Sequence, residues 1–510
     1  MSKKNVSTRK QLLFDDALIK RKSGFRIAMN PANRTGKVVM TGDQPWEQAG
    51  IRGDSGITVL EEGGLYKMWY QVPLSETART DPGALKRLFP KVDFDKLDVK
   101  TRNDMLSRSR MMLCYATSED GTHWKKPKLG IIEVAGSKRN NAVVTGRIGG
   151  TVFIDPTARK QDRFKLIFGG GPRLPHRHCE DPEPRADIYH AIYGASSPDG
   201  IHWTVSPEPI VPWYTDSTNV GYWDDRIRKY VAFMRWNQDM VYRDGQTVTV
   251  KPGGWKYRAI GRSESEDFFR FPPPAKVSEP SKAEREPHHR GIDYYNSSAV
   301  QYAFADDAYF MFSSDNNSDN GMLDVHLATS RDGVKYRRWK EPFLGVGPAG
   351  AFDSQCTYMA TGMLTKGNEL WMYYLGKDTP HTCHRYPEGR KRSPGSSAVG
   401  LARVRLDGFV SQDATASGGE MITEPISFEG RRLEVNMDAG ARGWLKVEIL
   451  NARGRPCRGF SEKDADPVWG NDVKKVMTWK GSKGVSDLKG RPVRLRFIGK
   501  SVKVYAFQFK

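Results

Sequence analysis

The chain has 510 residues, enough for two or more domains around a large buried core. Lysine and arginine number 80 against 60 acidic residues, a net charge of +20 that favours polyanionic partners; the basic residues are dispersed, and no nucleic-acid-binding signature accompanies them. No run of 18 apolar residues occurs, the first twenty residues lack the apolar stretch of an export signal, and five cysteines do not compose a disulfide framework, so neither a membrane span, a secretion signal nor a disulfide-stapled scaffold is expected.

In chain order, residues 1–40 carry no repeat and are expected to be an extension packed on the domain that follows. From Pro45 onward the chain is built from a recurring unit. Each unit opens with a strand, a polar turn and an aromatic-rich strand, as in "SGITVLEEGGLYKMWYQV" and "GGTVFIDPTARKQDRFKLIFGG". Each then reaches a tag of the form Ser-x-Asp-Gly-x-x-aromatic after a further strand-like run. The tags are Ser118–Trp124, Ser197–Trp203, Ser265–Phe271 without its glycine, Ser330–Tyr336, and a degenerate fifth copy centred on Asp407. Their aspartates are 79, 68, 65 and 75 residues apart. Asp-Gly between two β-prone runs predicts a turn, because glycine takes positive φ without steric cost. A period near 70 residues holds four short strands, one propeller blade, and a lone blade cannot bury both faces. The expected fold is therefore all-β: a five-bladed β-propeller over 41–415, followed by a C-terminal β-sandwich over 420–510. The sandwich is predicted from alternating segments such as "RLEVNM", "WLKVEIL" and "VRLRFI". One short helix is expected over 82–89 ("PGALKRLF").

These features resemble the five-bladed propeller glycosidases of the invertase, arabinanase and levansucrase group. The likeness is nearest to bacterial members with "PWE" early in the chain (Pro45, Trp46, Glu47), "GLARVRLDGFVS" closing the propeller, and a sandwich containing "GFSEKDADPVWGND". The resemblance implies a glycoside hydrolase with its carboxylates at one end of the propeller axis. The group's own acidic motifs are not intact here; "FIDP" (Phe153–Pro156) matches part of one.

Innermost strands converge on the axis, so acidic residues at their starts meet although distant in sequence. Asp54, Asp216, Asp293 and Asp353 each precede such a strand, and Asp155 sits in "VFIDP". Aspartate is also an ordinary turn former at strand entries. Glycoside cleavage needs one carboxyl to protonate the leaving oxygen and a second as base or nucleophile. The resemblance gives Asp54 the place of the nucleophile or base and Asp216 that of the third-blade carboxylate that tunes the acid. Asp293 stands in the fourth blade where the group usually carries glutamate, and it is the candidate acid together with Glu47. Trp46, Trp223 and Tyr294, with Tyr222 and Tyr295, are candidates to stack on sugar faces or to pack between blades. Arg52, Arg235 and Arg290, with Arg262, suit hydroxyl, carboxylate or sulfate groups; Asp155 and Asp353 complete the substrate-binding set.

Two loops hold His176, His178, Cys179 and His381, Cys383, His384, but their spacing fits no standard zinc pattern. No cofactor is expected; a structural calcium or zinc is the alternative. The partner expected is a carbohydrate, neutral or anionic, with neither nucleic acid nor membrane. A glycan-binding propeller without an acid and a glycoside phosphorylase are the competing readings.

Overall fold

The computed structural model describes residues 4–47, 50–52, 56–73, 96, 111–134, 137–145, 147–170, 191–211, 213, 215, 217–237, 240–243, 246–249, 257–285, 291–381, 397–482 and 484–510. The expected helix at 82–89 lies outside them.

Three antiparallel four-stranded sheets follow one another along the chain, and the next two blade-like units share one ten-stranded sheet, joined by a parallel bridge between Leu323 and Cys356. The first blade is Ile57–Glu62, Leu65–Pro73, Met111–Ser118 and Ala142–Thr145. The second is Arg147–Ile154, Phe164–Gly170, Ala191–Ser197 and Thr204–Val205. The third is Val220–Asp224, Lys229–Asn237, Arg258–Ser265 and Ala275–Ser278. In the fourth the inner strand is broken into Ile292–Tyr294 and Val300–Gln301, followed by Tyr309–Asn317, Leu323–Ser330 and Arg337–Leu344. The fifth combines Cys356–Met359 and Leu364–Lys366 with Glu369–Lys377 and Ser397–Arg405. Its outer strand is Asn33–Thr41, contributed by the start of the chain.

Hydrogen bonds between inner strands tie the blades around the axis. Thr58 and Thr361 share a hydroxyl–hydroxyl bond of 2.8 Å between blades one and five. Thr58 Oγ1 accepts the Val152 N–H at 3.0 Å, and Thr151 donates to the Asn219 carbonyl at 2.7 Å. Ser298 donates to the Met359 carbonyl at 2.6 Å. Blades three and four meet through a cluster that includes Val220, Phe233, Ile260, Tyr294 and Met311.

The repeated tag is a capped turn between third and fourth strands. In the first copy Ser118 Oγ accepts the Gly121 N–H at 2.8 Å, and Asp120 Oδ1 accepts those of Thr122 and His123 at 2.7 and 2.8 Å. Ser197 and Asp199, then Ser330 and Asp332, repeat the pattern. The fifth copy is different. Asp407 itself takes φ +63°, and its fully buried carboxylate accepts bonds from Lys10, Tyr302 and Asn436. It ties the propeller, the N-terminal segment and the sandwich together.

The sandwich is two six-stranded sheets. One holds Gly419–Thr423, Ile426–Phe428, Trp444–Asn451 and Val493–Lys500; the other holds Val410–Ala414, Leu433–Asp438, Asn471–Val476 and Lys503–Phe509. Lys4–Ser7 and Ile19–Ser23 complete the first sheet, Gln11–Leu12 and Phe25–Met29 the second. Strands within residues 4–41 are thus shared between both units rather than laid on the propeller as an extension. Lone sheet edges invite pairing, and these segments cover them.

Candidate functional site

The inner strands of the first three blades begin in mutual contact. A Cβ at Gly56 would lie 3.0 Å from Thr218 Cγ2 and 2.9 Å from the Gly150 carbonyl. A Cβ at Gly149 would lie 2.2 Å from the Ser217 carbonyl, and both glycines have positive φ, +86° and +65°. Only glycine lets the backbones approach this closely. Gln71 Oε1 accepts the Gly149 N–H at 3.2 Å, while the Gln71 carbonyl accepts the Arg52 N–H at 2.8 Å. Gly56 is two residues past Asp54 and Thr218 two past Asp216. Asp54, Asp216 and Arg290 themselves lie outside the described residues.

Asp293 belongs to the opening strand of the fourth blade, directly opposite Asn316. Its Oδ1 accepts the Arg258 backbone N–H at 2.7 Å, and its Oδ2 accepts the Ser318 hydroxyl at 3.3 Å. Burial pushes its pKa up; the Arg258 N–H, the charges of Arg258 and Arg235, and the Ser318 hydroxyl pull against that rise. The net direction is upward, so the carboxyl holds its proton to higher pH than a solvated aspartate.

Tyr295 stands beside it. The Arg258 guanidinium lies 4.4 Å from the Tyr295 ring centroid, and the His381 ring meets Tyr295 edge-on at 4.5 Å. A 2.7 Å hydrogen bond joins His381 Nδ1 and the Tyr358 hydroxyl. Blades three, four and five therefore supply one polar cluster: Arg258, Asp293, Tyr295, Ser318, Tyr358 and His381. Arg235, near the end of its strand, is buried, and its charge favours the ionised form of the same carboxyl.

Other expected site residues are placed elsewhere. Glu47 is fully buried, pairs with Lys126 at 2.5 Å and accepts the Tyr70 hydroxyl at 2.5 Å. A carboxylate enclosed in that way reaches no glycosidic oxygen, so Glu47 is a packing ion pair and not the acid. Trp46 donates to Asn141 Oδ1 at 2.9 Å and packs in the same core. Asp155 follows the end of its inner strand, so it lies at the opposite end from Asp293. It accepts the Tyr230 hydroxyl at 2.6 Å and caps a turn at Thr157. Trp223 lies near that end too, edge-on to Tyr230 at 4.9 Å and bonded to Asp225 at 2.8 Å. Asp353 is buried, bonded to the Tyr374 hydroxyl at 2.8 Å and 3.4 Å from Arg34 Nε. Tyr294 turns away from Asp293: its hydroxyl meets Glu284 at 3.1 Å and Arg338 covers its ring at 3.9 Å. Arg262 is buried and paired with Glu264 at 2.8 Å. Of the two histidine–cysteine loops only His381 is described.

Arg258, Ser318 and Tyr358 have no distinguishing mark in the sequence. Arg258 sits in an ordinary strand run, and it bonds Asp293 through its backbone N–H, which any residue but proline supplies.

No family model and no curated protein matches the chain. Among solved structures it is similar to a beta-1,2-mannobiose phosphorylase from Listeria innocua, with 14% identity and TM-score 0.45 over 74% of this chain and 97% of the other. It is also similar to a thermostable family-43 glycoside hydrolase, with 11% identity and TM-score 0.43 over 74% and 95%. A third is a glycosyl hydrolase from Bacteroides ovatus, with 12% identity and TM-score 0.42 over 74% and 94%.

Proposed function

We propose that the protein is a glycoside hydrolase that cleaves an oligo- or polysaccharide at the axial end carrying Asp293. The observation that carries this reading is a half-buried carboxyl with a raised pKa, fixed by one N–H and one hydroxyl, among aromatic and cationic side chains. Asp293 is the general acid. Its Oδ1 is occupied by an N–H donor, so the proton of the neutral form rests on Oδ2. Ser318 Oγ donates to the ionised Oδ2 and can accept from the protonated one, and its net effect favours the ionised form. The Oδ2 proton passes to the leaving glycosidic oxygen, and Asp293 ends as a carboxylate stabilised by Arg258 and Arg235.

Asp54 is the base or nucleophile in this proposal, and Asp216 keeps the acid protonated by like-charge repulsion. Tyr295 is buried under the Arg258 guanidinium and supports that side chain rather than a sugar ring; the arginines favour a hydroxyl-rich or anionic glycan.

The positive groups around Asp293 favour a second reading, phosphorolysis, in which inorganic phosphate replaces water as the attacking group. The test is incubation of the full chain with a glycan panel, with and without phosphate, and mass-spectrometric detection of products. Free reducing sugar lost in Asp293→Asn supports the hydrolase. Phosphate-dependent sugar phosphate supports the second reading, and no product with any glycan refutes both.

A further inference from the structure

Four buried polar atoms between the third and fourth blades have no hydrogen-bond partner among the described residues. They are the Tyr222 hydroxyl, the Tyr336 hydroxyl, Arg262 Nε and Asp224 Oδ2. Their residues share one site. Tyr222 and Asp224 alternate along the inner strand of blade three and so face the same side. Arg262 is on that side as well, in register with Phe233, which pairs with Val220. That face is turned to blade four: Tyr309 donates to Asp224 Oδ1 at 3.2 Å, and Tyr336 meets Phe233 edge-on at 6.3 Å. Tyr222 interacts electrostatically with Tyr336, Asp224, Arg262 and Tyr309.

The unpaired atoms are selective. Asp224 Oδ1 takes the Arg226 N–H at 3.0 Å besides Tyr309, while Oδ2 takes nothing. Arg262 spends an Nη on Glu264 and leaves Nε without a partner. Leaving a buried polar atom without a partner is costly, and four together point to a common occupant. The set comprises one N–H donor, one carboxylate acceptor and two hydroxyls able to do either. That is the complement of water, which donates twice and accepts twice. A cation is opposed by Arg262 and an anion by Asp224.

We infer that this interblade site binds one or two structural water molecules, bridging Arg262 Nε and Asp224 Oδ2 with the hydroxyls of Tyr222 and Tyr336. The waters join blade three to blade four. Tyr294, next to Asp293, lies in the apolar cluster against which Tyr222 and Tyr336 pack. The bridge therefore steadies the strand carrying Asp293 against the blade whose Arg258 N–H holds it.

The test uses Tyr222→Phe and Tyr336→Phe in the full chain, with thermal unfolding and a high-resolution crystal structure. Removing a hydroxyl that holds water leaves the water short of a partner. The expected result is a midpoint lowered by about 1–2 °C in each variant, with wild-type density for oxygen within hydrogen-bond distance of Arg262 Nε and Asp224 Oδ2. Removing a hydroxyl that holds nothing relieves a cost. An unchanged or raised midpoint in both variants overturns the proposal. So does a wild-type site without density there, or a peak heavier than oxygen that changes with the salt.

Discussion

The Arg258 backbone N–H meets Asp293 Oδ1 at 2.7 Å, and this one bond crosses from the third blade to the fourth. It fixes the carboxyl with a backbone donor that every substitution at Arg258 except proline retains. What is adjustable is the other oxygen, held by Ser318.

Replacing Asp293 by asparagine is expected to reduce turnover by a factor of about 10² or more, since a positioned acid is worth that much. The amide oxygen still accepts the Arg258 N–H, so the circular-dichroism spectrum should stay that of the wild type. Turnover within a factor of two of wild type removes Asp293 from the chemistry.

Ser318→Ala should move the basic limb of the pH–rate profile to higher pH. The acid must be protonated to work, so activity falls as pH rises through its pKa. The Ser318 hydroxyl favours the ionised form, and its loss raises that pKa further. A limb that stays in place while the rate falls would assign Ser318 a role in shape alone.

The same raised pKa has a consequence for stability. A carboxyl with a higher pKa folded than unfolded stabilises the fold fully below the unfolded pKa, and that contribution is lost as pH rises through the folded pKa. Asp293→Asn therefore gains stability relative to wild type at neutral pH, where the buried charge is a cost, and the gain shrinks as the solution is acidified. Melting curves at pH 7 and pH 4 give the comparison; a gain that grows at low pH contradicts it.

Glu47 and Lys126 behave as a structural pair. Lys126→Met leaves the buried Glu47 carboxylate without its cation, though still bonded by Tyr70, and should cost about 3–5 kcal/mol in denaturant unfolding. Glu47→Gln keeps the shape and should retain turnover on any substrate that the wild type cleaves, in contrast to Asp293→Asn. Loss of turnover in a folded Glu47→Gln variant returns Glu47 to the site.

Gly200 shows why the tag needs glycine. It has φ +80°, a Cβ there would lie 2.5 Å from Trp69 Cζ2, and its carbonyl accepts the Trp69 indole N–H at 2.7 Å. Gly63 also has positive φ, +62°, but no atom lies within 4 Å of its Cβ position. Gly63→Ala should cost about 1 kcal/mol for the backbone alone, and Gly200→Ala distinctly more. Equal costs would mean that blade two yields to blade one without resistance.

The blades and the sandwich were legible in the amino-acid order, because their signals are local. Ser118, Asp120 and Gly121 close a turn among themselves, and the same chemistry at Ser197–Gly200 and Ser330–Gly333 exposed the repeat. The alternation after residue 420 needed only the two-residue period of a strand. Packing in three dimensions was needed to show that Asn33–Thr41 closes the fifth blade and that segments within Lys4–Met29 join the sandwich, since pairing across hundreds of residues leaves no local pattern. It also sorted the carboxylates. Asp353 and Asp293 both precede strands and look alike in sequence. Arg34 and Tyr374 enclose the first, Lys126 and Tyr70 enclose Glu47, and Asp293 meets Arg258 where the inner strands begin. A carboxyl's proton affinity and reach are set by the groups that surround it in space, and those come from segments its own neighbours in sequence do not specify.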